Sequence, residues 1–538
     1  MSVKYISASL DVSRGAVLKP EKVKEMIDSL AKMGYNALML YSEDLYEMPE
    51  YPMFGYMRGL YTKETLKEFV LYAKQRGITM IPCIEVLAHL EHIFRWKEFR
   101  KVRDTANILL VDEPETYEFI ETMIKTMREI YDSDIFFLGC DEASMLGRGN
   151  FIKKFGYEDQ KSIFSRHMKK CVEICHKYGF TPQLCHDMFF SMATGADCYT
   201  ENPDVITPEI TALMPENAQI CYWDYFASTK RASAMMEACL KFNSPITFWT
   251  SVCSWTGAIP HNQHAFDTHK RAIPVCVKMG AETIHASSWG DDGAECSLFA
   301  CLPAFFSAAK YAQGVSDLNE VKDEFKELFG ISLDDMIKLD YPGDYYGTPN
   351  TFNSEKPFVF NDPFAGIYDD LVPEDRDTFR KRMLDHAKEL ESFCDNEKFG
   401  YLFRSSKLLC ELLAVKFDLG VKTRIAYKES KEAAKALLPL YDEVYNKVCA
   451  YFEAFREVWN TENKGNGFEV QAIRYGGLKE RLLDCRRRLE DYADGKISII
   501  EELEEEIKVI HTDEDYKENK YGKIATINTL THYGFGNY

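Results

Sequence analysis

Tyr5-Ile-Ser-Ala-Ser-Leu-Asp11, then Pro20–Met33, then Ala37-Leu-Met-Leu-Tyr41 read as strand, amphipathic helix and strand in that order. The two short runs are apolar and too brief for a helix, while the segment between them repeats its apolar residues at helical spacing. The same unit recurs along the chain. Further strand candidates are Thr79–Ile84, Ile135–Gly139, Gln183–Asp187, Gln219–Trp223, Ile246–Trp249 and Thr283–Ala286, with helical patterns such as Lys63–Arg76, Pro114–Tyr131 and Ser162–Tyr178 between them. Eight β-then-α units predict an α/β chain whose N-terminal part, residues 1–315, closes into a parallel (β/α)8 TIM barrel. A doubly wound open sheet is the alternative. Its Gly-rich first turn is missing: the turn here reads Asp11-Val-Ser-Arg-Gly-Ala.

The character changes further on. Residues 316–372, with Tyr341–Pro363 rich in Pro, Gly, Asn and aromatics, predict an irregular connection. Residues 373–538 predict a mostly α-helical C-terminal domain, with charged stretches such as Lys479–Tyr492 and Ile499–Lys508 as solvated helix faces.

Lys and Arg number 65 against 85 Asp and Glu, a formal charge of −20, which argues against a general nucleic-acid or anionic-membrane binder. No apolar run reaches the length of a membrane-crossing helix, and Met1-Ser-Val-Lys-Tyr-Ile-Ser-Ala lacks the basic and apolar regions of a signal peptide. The sixteen cysteines form no Cys-x-x-Cys pair and many sit in apolar runs, as reduced thiols do. A cytoplasmic location is therefore expected.

In such a barrel, reactive groups stand at the C-terminal ends of strands. Those ends supply Arg14, Glu43 with Asp44, Glu85 with His89, Asp141 with Glu142, His186 with Asp187, and Tyr222-Trp223-Asp224. The last two supply Trp249 with Trp255, and Trp289 with Asp291. Four of the six tryptophans fall on strands six to eight or their exits, which describes an aromatic wall beside a carboxylate floor. Sugars suit it, because their C–H faces stack on indole and their hydroxyls need fixed acceptors. Arg14 has a simpler structural reading, an ion pair with Asp11. His89 and His92 are three apart without an evident third ligand, so no metal is expected.

Phe137-Leu-Gly-Cys-Asp141-Glu142-Ala resembles the His-x-Gly-Gly-Asp-Glu motif of family 20 glycoside hydrolases, the β-N-acetylhexosaminidases. Leu10-Asp-Val-Ser-Arg14 resembles the family's first-strand arginine, Ile84-Glu-Val-Leu-Ala-His89 its third-strand histidine segment, and Trp289-Gly-Asp291 its last-strand Trp-x-Glu. The similarity covers about residues 1–310, in the branch where a helical domain follows an N-terminal barrel. Phe137, Cys140 and His186 depart from the family's histidine, glycine and tryptophan.

The resemblance implies an exo-acting enzyme that releases terminal β-linked GlcNAc or GalNAc from oligosaccharides or glycoconjugates, with retention and without a cofactor. Glu142 would be the general acid/base, with a pKa raised by a desolvated pocket and nearby carboxylates. Asp141 would hold the substrate's 2-acetamido group while that group attacks C1. Tyr222 would support the acetamido oxygen. Arg14, Glu43, His89, Trp223, Asp224, Trp255, Trp289 and Asp291 would bind sugar. Two rivals stand beside this reading: a two-carboxylate retaining glycosidase with Asp291 or Glu43 as nucleophile, and a barrel that binds sugars without cleaving them. An oligomer is compatible with all three.

Overall fold

The computed structural model describes residues 3–195, 197–291, 293–345, 347 and 352–508. Eight strands, β1 (Tyr5–Asp11), β2 (Ala37–Tyr41), β3 (Thr79–Ile81), β4 (Ile135–Phe137), β5 (Thr181–Cys185), β6 (Gln219–Trp223), β7 (Ile246–Ser251) and β8 (Thr283–Ser288), form one parallel sheet. Each strand from β4 to β7 pairs with its successor, β8 returns to β1, and β1, β2 and β3 follow. The register runs Ser7 with Ala37 on one side of β1 and Ser7 with His285 on the other. Between β3 and β4 the barrel closes through a bridge from Cys83 to Phe137, with the Ile84 N–H donating to the Phe137 carbonyl at 3.0 Å.

Strands β2, β7 and β8 are buried at every position. Helices cover the outer face and side chains fill the inner, so β2 reads as a continuous apolar run, while β7 and β8 bury Thr, Ser and His side chains as well. The interior is only partly apolar. Trp249 stacks on His285 at 3.9 Å and lies 4.7 Å from Phe137, and the Gln183 amide donates to Thr247 at 3.2 Å. This layer is the floor on which the site rests.

The covering helices carry their end signals in the sequence. Pro20–Met33 starts on a proline and stops at Gly34 in the left-handed region. Lys63–Lys74 is capped by Thr62 and Gln160–Lys177 by Asp159, whose side chains accept from first-turn amides. Pro114–Ile130, Thr229–Leu240, Asn262–Lys278 and Leu302–Ala312 complete the outer layer of longer helices.

Residues 316–372 are less irregular than the sequence suggests, because Lys322–Phe329 and Lys356–Phe360 are helical. Beyond them lie Arg376–Glu391, Gly400–Lys416, Leu419–Glu429, Leu438–Glu462 and Phe468–Ala493. Aromatic rings hold the last two together: Tyr475 packs 4.9 Å from Phe452. Of the charged stretch Ile499–Lys508, only Glu501–Glu504 is helical, and the expected extension of the domain through 509–538 lies outside the described residues. Among the described residues no helix is long and apolar enough to cross a membrane.

Candidate active site

The strand exits converge on a cavity of about 290 Å³ lined by Arg14, Tyr41, His89, Asp141, Glu142, Trp223, Tyr225, Trp289 and Asp291. That is near the lower end of small-molecule sites, roughly 300–1,000 Å³.

The Asp-Glu pair sits on a tight turn after β4. Gly139, Cys140 and Glu142 all have positive φ, at 67°, 78° and 54°. Only glycine fits at 139: a Cβ there would lie 1.9 Å from a Glu85 carboxylate oxygen. The Asp187 carboxylate accepts the Glu142 N–H at 2.8 Å and so anchors the far side of the turn. The turn sends the two carboxyl groups into different surroundings. Asp141 is largely enclosed, while the Glu142 side chain is 63% exposed at the rim. The protein alone therefore does not give Glu142 the desolvated setting that the sequence suggests.

His89 Nε2 lies 3.5 Å from Asp141 and 3.6 Å from Glu142, and its Nδ1 is 3.3 Å from Arg14. Burial alone would raise the Asp141 pKa, but the contact and charge of His89 outweigh it and hold that carboxyl below its usual range. Burial alone would lower His89, yet Asp141 and Glu85 push it well above the ordinary imidazole value, against Arg14. Beneath them Glu85 is fully buried, and burial followed by repulsion from Asp141 raises it strongly.

Arg14 does not pair with Asp11. Asp11 accepts from Ser13 at 2.8 Å and from the Gly290 N–H at 2.8 Å, tying the β1 and β8 exits together. Arg14 instead meets Glu43 at 2.9 Å and Glu91 at 3.3 Å. Glu43 stands behind Arg14 rather than in the cavity, and burial raises its pKa to about 8. His92 lies 4.0 Å from Glu43. Among the described residues no group of three or more His, Cys, Asp and Glu is placed to hold a metal ion.

The aromatic wall differs from expectation at β6. Tyr222 does not reach the cavity: its ring is fully buried against Phe248 and its hydroxyl donates to Asp224 at 3.1 Å. Asp224 does not reach it either, being held by Arg231 through two bonds of 2.6 and 2.7 Å. The tyrosine that reaches the cavity past β6 is Tyr225, stacked on Trp223 at 5.7 Å, with its hydroxyl accepting from Trp289 Nε1 at 2.8 Å. Alternation along an extended chain carries this signal: Trp223 faces the cavity, so 225 shares its side and 222 and 224 take the other. Trp255 backs Tyr225 at 5.5 Å rather than lining the space. Tyr41, the last residue of β2, was also missed; it meets Trp289 edge-on at 4.8 Å. His186 is fully buried behind Trp223 at 5.1 Å.

Two family models match the chain: the glycosyl hydrolase family 20 catalytic domain over residues 4–249 and the glycoside hydrolase 20C C-terminal domain over 332–522. A beta-hexosaminidase of Akkermansia muciniphila is 26% identical over 221 residues, 32% of this chain and 44% of that one. Hexosaminidase D of Homo sapiens is 22% identical over 228 residues, 40% and 43% of the two chains. The alignments thus span less than half the length of both relatives. A beta-N-acetylhexosaminidase structure from Bacteroides fragilis superposes with a TM-score of 0.46 at 16% identity, covering 61% of this chain and 72% of that one. With both the catalytic and the C-terminal model of one family matched in order along it, the chain belongs to glycoside hydrolase family 20.

Proposed function

We propose that the protein removes terminal β-linked N-acetylhexosamine from glycans or glycoconjugates by a retaining, substrate-assisted route. The observation that carries this reading is the division of labour at Asp141 and Glu142. One carboxylate is enclosed and held anionic beside His89; its sequence neighbour stands exposed at the rim. Neighbours on one turn do not face each other across a sugar as the acid and nucleophile of a two-carboxylate enzyme do, about 5–5.5 Å apart. They can act on two parts of one substrate. Glu142 protonates the leaving oxygen, and the acetamido oxygen attacks C1. Asp141 accepts the acetamido N–H and balances the positive charge that develops. Tyr225 donates its phenol to the acetamido oxygen, while Trp223 and Trp289 enclose the methyl group. Glu142 then takes a proton from the water that opens the oxazolinium ion.

Of the rival nucleophiles, Glu43 is buried and tied to Arg14, which leaves Asp291. Comparing p-nitrophenyl β-GlcNAc, β-GalNAc and β-glucoside separates the two mechanisms: the acetamido sugars are turned over and the glucoside is nearly inert. A thiazoline analogue of the intermediate inhibits tightly. Trapping of a covalent sugar ester on Asp291 by a 2-fluoro glycoside would overturn the reading. We place the enzyme in the cytoplasm, a proposal supported by sixteen free thiols, thirteen of them buried.

A further inference from the structure

The two longest helices of the C-terminal region, Leu438–Glu462 and Phe468–Ala493, are joined by a short link. That link packs on the barrel, with Gly465 alone among its residues exposed. Asn463 bridges Leu18, and the Lys464 N–H donates to the Val17 carbonyl at 2.8 Å, so the chain runs antiparallel to the loop that follows Arg14. Lys464 Nζ donates to the Gly59 carbonyl at 2.6 Å, and Asn466 donates to the Met57 carbonyl at 2.8 Å. Both acceptors lie on the loop after β2, whose Arg58 grips Asp44 and the Ser13 carbonyl. Gly467 lies so close to the backbone of Gly15 that a Cβ would come within 2.1 Å of its carbonyl oxygen.

The next helix continues the contact onto the loop after β8. Gln471 donates to the Gly293 carbonyl at 3.1 Å. Arg474 meets one oxygen of Glu295 at 2.8 Å, and Lys356 meets the other at 2.7 Å, with the Lys356 and Glu295 side chains almost completely buried. Glu462, at the end of the preceding helix, accepts from Ser297. Thus one continuous stretch of the helical region holds the two loops that carry Arg14 and Asp291, the charged groups flanking the cavity on its β1–β8 side.

We propose that residues 462–474 are a positioning element of the sugar site, fixing Arg14 through Gly467 against Gly15 and Asp291 through Arg474 on Glu295. This rests on the hydrolase reading above. A guanidinium and a carboxylate that bind fixed hydroxyls need placement within a fraction of an ångström, and the exits of β1 and β8 have no regular structure of their own to provide it. None of 462–474 lines the cavity. Their effect would pass through loop geometry, so it belongs in substrate binding more than in the proton transfers at Glu142.

The test uses Gly467→Ala and Arg474→Ala in the full chain, with Arg474→Lys as the conservative variant and Arg486→Ala, which loses an outward ion pair to Asp442, as the control. Arg474→Ala should fold, because Lys356 still neutralises Glu295. On p-nitrophenyl β-GlcNAc each alanine variant should raise KM about tenfold and change kcat less than about threefold. Arg474→Lys should recover most of the loss, and Arg486→Ala should match the wild type. In an Arg14→Ala background, Gly467→Ala should add little, because both act on one contact. Unchanged KM in both alanine variants, or effects fully additive with Arg14→Ala, would overturn the proposal. Amide exchange gives a readout independent of turnover: residues 289–298 should exchange faster in Arg474→Ala while β1–β8 keep their protection. If the wild type cleaves no hexosaminide, the function falls; unchanged exchange in that variant defeats the positioning role by itself.

Discussion

The two halves of the cavity are built by opposite means. On the β1–β4 side stand Arg14, His89, Asp141 and Glu142 with one ring, Tyr41, and with Glu43 and Glu85 behind them; on the β6–β8 side stand Trp223, Tyr225 and Trp289 above Trp249, with one carboxylate, Asp291. The charged half is held on unusual backbone: Glu43, His89, Cys140 and Glu142 all have positive φ, between 44° and 78°. None of the four aromatic residues does. Left-handed backbone in non-glycine residues costs about 1–3 kcal/mol each and persists only where the surroundings impose it. Like charges brought close in a poorly solvated place demand fixed directions, and regular strand ends do not supply them. Rings need only contact, and packing on neighbouring rings at 4.8–6.1 Å supplies it. Strained turns therefore direct His89 and Glu142, while ordinary packing sets the rings.

The sharpest way to break this division is at Glu142. Glu142→Gln should lower kcat/KM for a disaccharide by about 10³-fold, within the usual range for a lost general acid, and by much less for an activated aryl glycoside that needs little protonation. Equal loss on both substrates, with single-turnover kinetics showing the first step to be limiting, would remove the acid role. Asp141→Asn comes next. The amide cannot balance positive charge, and a rate loss of about 10²-fold is expected, with far-UV circular dichroism unchanged. Retention of full activity would mean that Asp141 serves His89 alone.

The aromatic half is sharpened by a pair. Tyr225→Phe keeps its stacking on Trp223 and loses the hydroxyl, and about a tenfold drop in kcat is expected. Tyr222→Phe should leave kcat unchanged and cost about 1 kcal/mol of stability, the usual worth of a hydrogen bond such as the one to Asp224, read by chemical denaturation. The reverse pattern would restore Tyr222 to the site.

The smallest effect concerns pH. The folded protein raises His89, so that group's stabilisation is full below the unfolded imidazole value of about 6.5 and is lost as pH rises through the folded value. Asp141 is lowered, so its share is full above about 3.9 and is lost as pH falls through the folded value. Both contributions to stability are thus full from about pH 4 to 6.5. The melting temperature of the wild type minus that of His89→Gln should be largest near pH 5.5 and shrink by pH 9. A difference that grows with pH would mean that His89 is neutral in the folded protein.

Much of this was legible in the residues. The eight strands and the helices that cover them follow from apolar period, capping residues and chain order, all of which act over a few positions. Three strands, Tyr5–Asp11, Ala37–Tyr41 and Gln219–Trp223, have the bounds the sequence suggests. The Asp141-Glu142 pair was legible too, since a buried strand running into adjacent carboxylates has few structural uses. Side-chain direction past a strand end was not. Tyr222 and Tyr225 differ by three positions, and choosing between them requires knowing that Trp223 faces inward, a fact set by β7 and β8. Tyr41 looked like one more apolar strand residue until Trp289 came to lie across it.

The sequence by itself determined the barrel, the order of its functional ends and the presence of a second, helical region, because these depend on local pattern and on chemistry that each segment carries with it. Only the tertiary structure decided that Arg14 turns to Glu43 and Glu91 rather than Asp11, that His89 lies between two carboxylates, and that Gly467 and Arg474 close on loops more than 170 residues away. Each of these is a contact between distant segments. Its energy exists only after folding has desolvated both partners and brought them to within a few ångströms, and no run of neighbouring residues records it.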